Sequence, residues 1–202
     1  MAHRRHREPA RAKSASSKPR EVFRLHVTLQ GTDPPVWRDV RVDAETPLDR
    51  LHDVLQGLMG WTDSHLHQFI VGKKPIYYGI PDPDHMGPET VDEQPVRLRE
   101  ILPRKGSKIL YEYDFGDGWM HEIQVDEVRP KPRKFLGASC EGGARACPPE
   151  DCGGASGYAE FLEALKDPKH EQHEELLEWI GGKFDPEAFD REKTNRALRR
   201  LE

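Results

Sequence analysis

The 202-residue sequence contains no apolar run close to the ~20 residues that a membrane-spanning helix requires. Several basic residues stand near its start without an apolar stretch behind them, so we expect no secretory signal there. Walker, dinucleotide-binding and nucleophile-elbow motifs are also missing. These absences argue against a membrane protein, against the common nucleotide-binding enzymes and against an α/β-hydrolase.

Cysteine is also scarce: the chain has three, and all lie within a stretch of thirteen residues. An odd cysteine count without a secretory signal is not typical of a disulfide framework, so we expect a cytoplasmic protein. The spacing of Cys140, Cys147 and Cys152 is nevertheless the most metal-like pattern in the chain. Zinc binds four nitrogen or sulfur ligands, so these thiols need a fourth ligand, such as a histidine. Buried thiols that bind no metal are the alternative.

Acidic residues are nearly absent from the first twenty positions, where seven Arg and Lys accompany one Glu. This segment has a net charge of +6, whereas the whole chain has −5, so the remainder carries −11. Because the segment also lacks apolar periodicity, we expect residues 1–20 to form a disordered basic tail. Such a tail can contact nucleic acid weakly through phosphate groups. The acidic remainder argues against a broad DNA-binding face on the folded part.

The first part of the acidic remainder shows patterns typical of strands and a helix. Apolar and polar residues alternate over residues 22–29 and 36–42, which predicts two strands joined by a turn. Arg38 falls on the apolar face of the second strand, where a guanidinium either finds a buried partner or extends to solvent. A Thr-Pro start with threonine as N-cap, an apolar stripe and a glycine stop predict a helix over 46–60. A third strand is predicted at 65–71.

A second hairpin is predicted further along the chain, and its register follows from the pattern of apolar residues. The apolar faces of its two strands match only if the loop between them has an odd number of residues, 114–118. This register sets Tyr113 against Trp119 and Tyr111 against His121. Two glycines in the loop supply the positive φ angles that such turns require. We expect a binding surface around the loop, made of His65, His67, Asp114, Asp117 and Trp119.

Together these elements predict an α+β protein. The order strand, strand, helix, strand is that of a β-grasp-like unit, in which the third strand can lie parallel to the first. The second hairpin adds two strands, which gives a mixed five-stranded sheet. The proline-rich residues 72–95 predict an extended excursion, and apolar stripes after residue 156 predict a helical C-terminal cap. We expect one domain over 21–202, with the sheet in 21–128 and a Cys/Gly-rich loop and the cap in 129–202.

Three sequence strings carry a further indication. They are Asp-Phe-Gly-Asp-Gly-Trp-Met-His at 114–121, Cys-Pro-Pro-Glu-Asp-Cys-Gly-Gly at 147–154 and His-Leu-His-Gln-Phe at 65–69. Read together, they resemble the plasmid pRiA4b ORF-3-like family, over residues 22 to about 200. The resemblance implies a protein that occurs on plasmids and as a passenger of insertion elements. It assigns no catalytic residue.

Two classes of function follow from these observations. The first is a non-enzymatic binding or accessory module with a structural zinc, serving an unknown protein or nucleic-acid partner. The expected zinc ligands are Cys140, Cys147, Cys152 and His121. The alternative is a metal-dependent hydrolase with ligands among His65, His67, Asp114, Asp117 and His121. Four closed ligands indicate a structural metal, whereas three ligands and an open water position indicate chemistry.

Overall fold

The computed structural model describes residues 20–82, 89–135 and 137–201. Within these ranges the chain forms one eight-stranded sheet and five helices. The strands are β1 (Glu21–Leu29), β2 (Val36–Asp43), β3 (His67–Val71), β4 (Ile76–Gly79), β5 (Thr90–Asp92), β6 (Lys108–Tyr113), β7 (Trp119–Pro130) and β8 (Ala138–Ala144). The helices are α1 (Leu48–Met59), α2 (Leu98–Ile101), α3 (Gly154–Lys166), α4 (His173–Trp179) and α5 (Arg191–Leu198). Apart from Arg20, the predicted basic tail lies outside the described residues.

The sheet has the strand order β5-β4-β3-β6-β7-β1-β2-β8. Only the β4–β5 pair is parallel among the strands that the structure describes, so the sheet is mixed, as predicted. The predicted five strands and the β-grasp-like arrangement are wrong. Strand β3 does not lie beside β1, because β6 and β7 stand between them. The long strand β7 pairs with β1 along the whole length of β1 and so occupies the place beside β1 that a crossover strand would need.

The three strands that sequence analysis did not predict are all at or near the sheet edges. Strands β4 and β5 have four and three residues, too few for a periodic pattern to be recognised. They lie in the segment predicted as an extended excursion, of which residues 83–88 are outside the described part. Strand β8 contains two consecutive glycines and lies in the segment predicted as a loop. Backbone pairing with β2, rather than strand propensity, defines it.

One face of the sheet packs against α1 and forms the core. Helix α1 begins at Leu48 with Pro47 as its N-cap, so the prediction of a threonine N-cap is wrong. The helix ends at Gly60, as predicted, where a φ of 85° and an N–H bond to the Gln56 carbonyl terminate it. The inward residues of β1 are at most 1% exposed; they are Phe23, Leu25, Val27 and Leu29.

Arg38 of β2 points into this core and is 3% exposed. Its guanidinium donates hydrogen bonds to four backbone carbonyls, those of Trp37, Leu58, Ala144 and Arg145. The Phe189 ring covers one face of the group, with its centroid 4.6 Å from Cζ. Because Leu58 belongs to the last turn of α1, Arg38 joins the end of that helix to β2, to the end of β8 and to the residue after β8. Of the two alternatives for Arg38, a buried guanidinium with partners and one that extends to solvent, the first is confirmed.

The C-terminal segment forms the predicted helical cap. Helix α3 packs on α4, and α5 packs on α1 and β8. Asn195 of α5 accepts the Cys140 N–H and donates to the Cys140 carbonyl, at 2.8 and 2.9 Å. The last helix begins at Arg191, capped by Asp190, rather than at residue 185. None of the helices in the described ranges is long and apolar enough to cross a membrane.

Candidate metal centre

The β6–β7 hairpin has the predicted register, with Tyr113 opposite Trp119 and Tyr111 opposite His121. Its five-residue loop is organised by Asp114, which has a left-handed φ of 58°. The Oδ1 atom of Asp114 accepts the N–H groups of the second and third following residues at 2.9 and 3.3 Å. Its other oxygen, Oδ2, is the one that approaches His65. The hairpin tip therefore holds one carboxylate oxygen in a fixed position.

A second loop, residues 147–153, packs against this tip. Glu150 accepts a 2.5 Å hydrogen bond from the Tyr113 hydroxyl and bonds from the Thr62 hydroxyl and N–H. Burial, and next the Glu150 hydrogen bond, raise the pKa of Tyr113, which keeps the phenol protonated and donating. The Gly153 N–H donates to Asp117 Oδ2 at 3.2 Å. These contacts position Asp151, which follows Glu150 in the loop, beside the hairpin.

Three side chains meet where the two loops touch. The Nε2 atom of His65 lies 3.6 Å from Asp114 Oδ2 and 3.1 Å from Asp151 Oδ1. All three donor atoms lie within 4.8 Å of one another. Ligand atoms that bind one zinc ion at ~2.0–2.2 Å stand roughly 3–3.6 Å apart. The two distances from His65 in this hairpin-tip cluster fall in this range.

The charges of the hairpin-tip cluster also favour a cation. Two carboxylates and one imidazole face each other, and no Arg or Lys in the described ranges pairs with either carboxylate. The His65 Nε2 atom is buried and makes no hydrogen bond of normal geometry. The Asp114 side chain is 9% exposed, whereas that of Asp151 is 69% exposed. An ion bound here would have two enclosed ligands and one side open to solvent.

A second cluster lies on the face of the sheet opposite the core, and its charges are balanced in a different way. His26, Asp39 and Asp126 also bring three donor atoms within 4.8 Å. However, Asp39 already accepts a 2.6 Å bond from Arg24 and a 2.7 Å bond from His26. The side chain of Gln124 donates to Asp126. This cluster is an ion-pair network that side chains of the protein already satisfy, so it offers a metal less than the hairpin tip does.

The predicted zinc ligands lie apart from both clusters. Cys140 is in β8 and donates to a backbone carbonyl two residues on. Burial raises the pKa of Cys147, and it raises that of Cys152 to about 12, so both thiols are protonated at neutral pH. His121 is fully buried, and burial lowers its pKa to about 4. Within the described residues, neither donor cluster contains any of the four, and zinc on these residues stays a prediction.

His67, also predicted for the surface, is buried in a different network. Its Nε2 lies 3.0 Å from a Glu93 carboxylate oxygen, and its ring stacks on that of His52 at 3.5 Å. His52 in turn contacts the Tyr111 hydroxyl and the Asp63 carboxylate. Burial, and next the neighbouring His67, lower the pKa of His52. His67 separates from His65 because His65 precedes β3 and leaves the alternation of that strand.

The structure therefore brings together only some of the residues predicted for the binding surface. His65 and Asp114 belong to the hairpin-tip cluster, and Asp117 supports the second loop through Gly153. Trp119 is 1% exposed and belongs to the core. Sequence analysis missed Asp151, although the Pro-Pro-Glu-Asp string that contains it was noted as part of the family resemblance. Nothing local in the sequence shows that this string packs against a hairpin tip more than thirty residues away.

The fold and the site define a class: an α+β protein with one eight-stranded mixed sheet, in which a Pro-Pro-Glu-Asp loop docks on a hairpin tip. The chain belongs to the plasmid pRiA4b ORF-3-like family, whose family model matches residues 21–193. This confirms the resemblance.

Two relatives support the assignment. The uncharacterised protein y4hQ of Sinorhizobium fredii (strain NBRC 101917 / NGR234) is 42% identical over 184 residues, covering 88% of this chain and 90% of the relative. The crystal structure of MM3350 from Methanosarcina mazei Go1, a protein of unknown function, is similar with a TM-score of 0.75 and 35% identity. It covers 87% of this chain and 98% of that protein.

Proposed function

We propose that this protein is a binding module that holds a divalent cation between His65, Asp114 and Asp151. The observation that carries this proposal is the pair of carboxylates that meets an imidazole without a basic partner within the described residues. Such an arrangement is stabilised when a cation supplies the missing positive charge. The open side at Asp151 leaves positions through which the ion can bind a phosphate or carboxylate of a partner.

The donor set indicates which ions are suitable. One imidazole and two carboxylates suit Zn²⁺ or Mn²⁺, whereas Ca²⁺ and Mg²⁺ prefer oxygen ligands throughout. Zinc is thus retained from sequence analysis, but on different ligands from the predicted thiols. Within the described residues, the donor atoms that come close enough to share an ion include none from the three cysteines, which supports this choice of ligands.

A binding role is favoured over hydrolysis by the condition of the neighbouring carboxylates. A hydrolase needs a general base that can accept a proton from the metal-bound water. Glu150, next to the hairpin-tip cluster, already uses Oε1 for Tyr113 and Oε2 for Thr62. Asp117 accepts from Gly153. Both groups therefore act in positioning the loops.

Two further parts of the proposal concern the biological setting. The family name supports an association with plasmids or other mobile elements. The three free cysteines are typical of a reducing compartment and support a cytoplasmic location. The partner that we propose is a protein or nucleic acid that presents an anionic group to the ion.

Elemental analysis and calorimetric titration with Zn²⁺ and Mn²⁺ test the proposal. We expect about one ion per chain. Asp114→Asn and Asp151→Asn should each weaken metal binding by more than about 100-fold, which is more than the loss of a residue that only supports a ligand causes. Asp126→Asn, in the satisfied cluster, is the matched control and should change nothing. Retained metal in both ligand variants would contradict the proposal. Loss of metal in Cys147→Ser would instead support the predicted thiol site.

Hydrolysis remains a second candidate because the site has an open side at Asp151, whose side chain is 69% exposed. Zn²⁺- and Mn²⁺-loaded protein can be assayed with bis(p-nitrophenyl) phosphate and p-nitrophenyl acetate. Turnover that disappears in Asp151→Asn would establish a hydrolase. Metal binding without turnover would favour the module.

A further inference from the structure

A cleft opens beside the hairpin-tip cluster, between α3 and α4. It has a volume of about 310 Å³ and includes Asp151 and Cys152 in its wall. Trp179 lines this cleft and is 48% exposed, and its ring meets the Phe161 ring edge-to-face, with centroids 5.8 Å apart. Leu176 completes the apolar part of the lining. An exposed tryptophan that lines a cleft of this size offers an aromatic ring on which a flat group can stack.

The polar part of the cleft has charge of one sign. Glu160 on α3 and Glu175 on α4 line it together with Asp151. Within the part of the chain that the structure describes, neither glutamate makes an ion pair, whereas Glu163, one turn from Glu160, pairs with Lys166. Carboxylates that lack a cation, placed around an aromatic side chain, select a positively charged group.

We infer that this cleft binds the side chain of an arginine from a basic peptide segment of a partner protein. A guanidinium is flat, so it can stack on the Trp179 face while its edge donates to the carboxylates of Glu160 and Glu175. The volume suits one long side chain rather than a length of backbone. The inference goes beyond the proposed metal site and shares only Asp151 with it.

Nuclear magnetic resonance of the ¹⁵N-labelled full chain tests this inference through the Trp179 indole signal, assigned with Trp179→Leu. The probe is N-acetyl-arginine amide, and its neutral isostere N-acetyl-citrulline amide is the comparison. We expect a saturable shift with the arginine compound and at least about tenfold weaker binding of the citrulline compound, because the latter has no charge. Trp179→Leu should weaken binding about two- to fivefold. Binding to this variant is followed through the signals of other residues that line the cleft.

Variants of the two glutamates complete the test and leave the metal ligands intact. Glu160→Gln with Glu175→Gln should weaken arginine binding several-fold, whereas Glu163→Gln is the matched control and should leave it unchanged. Equal binding of arginine and citrulline compounds would overturn the inference. So would the absence of a saturable shift up to about 10 mM, where even a millimolar site would be mostly filled. Because Asp151 is unchanged, metal content measured on the same samples separates failure of this inference from failure of the metal site.

Discussion

Protonation of His121 should make the stability of this protein depend on pH. The imidazole is fully buried, with rings of Trp61 and Tyr111 within 5.4 Å of its own, centroid to centroid. Its Nδ1 lies 3.1 Å from the Trp119 carbonyl, and its Nε2 has no hydrogen-bond partner within the described residues. Burial therefore favours the neutral ring and lowers the pKa from 6.5 to about 4.

The sign of the effect follows from which state binds the proton. In the unfolded chain His121 takes up a proton below pH 6.5, whereas the folded chain resists protonation until about pH 4. The stabilisation from the neutral buried ring is thus complete above pH 6.5 and is lost as the pH falls towards about 4. One pKa unit corresponds to about 1.4 kcal/mol, so the full loss is on the order of 3 kcal/mol.

The substitution His121→Phe removes the titrating group while it keeps an aromatic ring of similar size. Urea unfolding at about pH 7 and about pH 4.5 gives the free energy of unfolding of both proteins at each pH. Other groups also titrate in this range, so the informative quantity is the difference between the two proteins. The native chain should lose about 2–3 kcal/mol more than His121→Phe on acidification.

His170→Gln provides the control, because His170 lies in the cap, away from the core. This variant measures what the loss of a histidine outside the core does to the same difference. If His121→Phe lost as much stability on acidification as the native protein, to within about 0.5 kcal/mol, the inferred burial of a neutral imidazole would be refuted. A lower stability of His121→Phe at both pH values would not matter for the test, since only the difference between them reports the titration.

Two further predictions concern Arg38 and Gly154. Arg38→Met should lower the free energy of unfolding by about 3–5 kcal/mol, because four carbonyls lose their donor. The control Arg24→Met removes a half-exposed ion pair and should cost under about 1 kcal/mol. Equal costs of the two substitutions in urea unfolding would contradict the role of Arg38. Gly154 has a φ of 67°, and a Cβ there would overlap the backbone of the hairpin tip. Gly154→Ala should therefore cost about 1–2 kcal/mol for strain and about 1–3 kcal/mol for the overlap, and it should weaken metal binding. Gly106→Ala, with a similar φ but open space, should show only the strain and keep its metal.

Much of the local structure could be predicted from the sequence, because its causes are local. The apolar alternation and the odd loop determined that Tyr113 faces Trp119, since a slip of one residue turns a whole strand over. The apolar stripe and Gly60 likewise determined α1 and its end. Two of the three residues of the hairpin-tip cluster, His65 and Asp114, were predicted because both flank strands that are recognisable by their pattern.

What only the tertiary structure decided depends on contacts between distant segments. Alternation tells which face of β3 is buried, but not that β6 rather than β1 lies beside it. The same limit applies to Arg38, whose four acceptors come from β2, the end of α1, the end of β8 and the residue after β8. It also applies to Asp151, which completes the candidate metal centre only because its loop packs on the hairpin tip. Side-chain period reports burial, whereas the choice of neighbour is made by the packing of the whole chain.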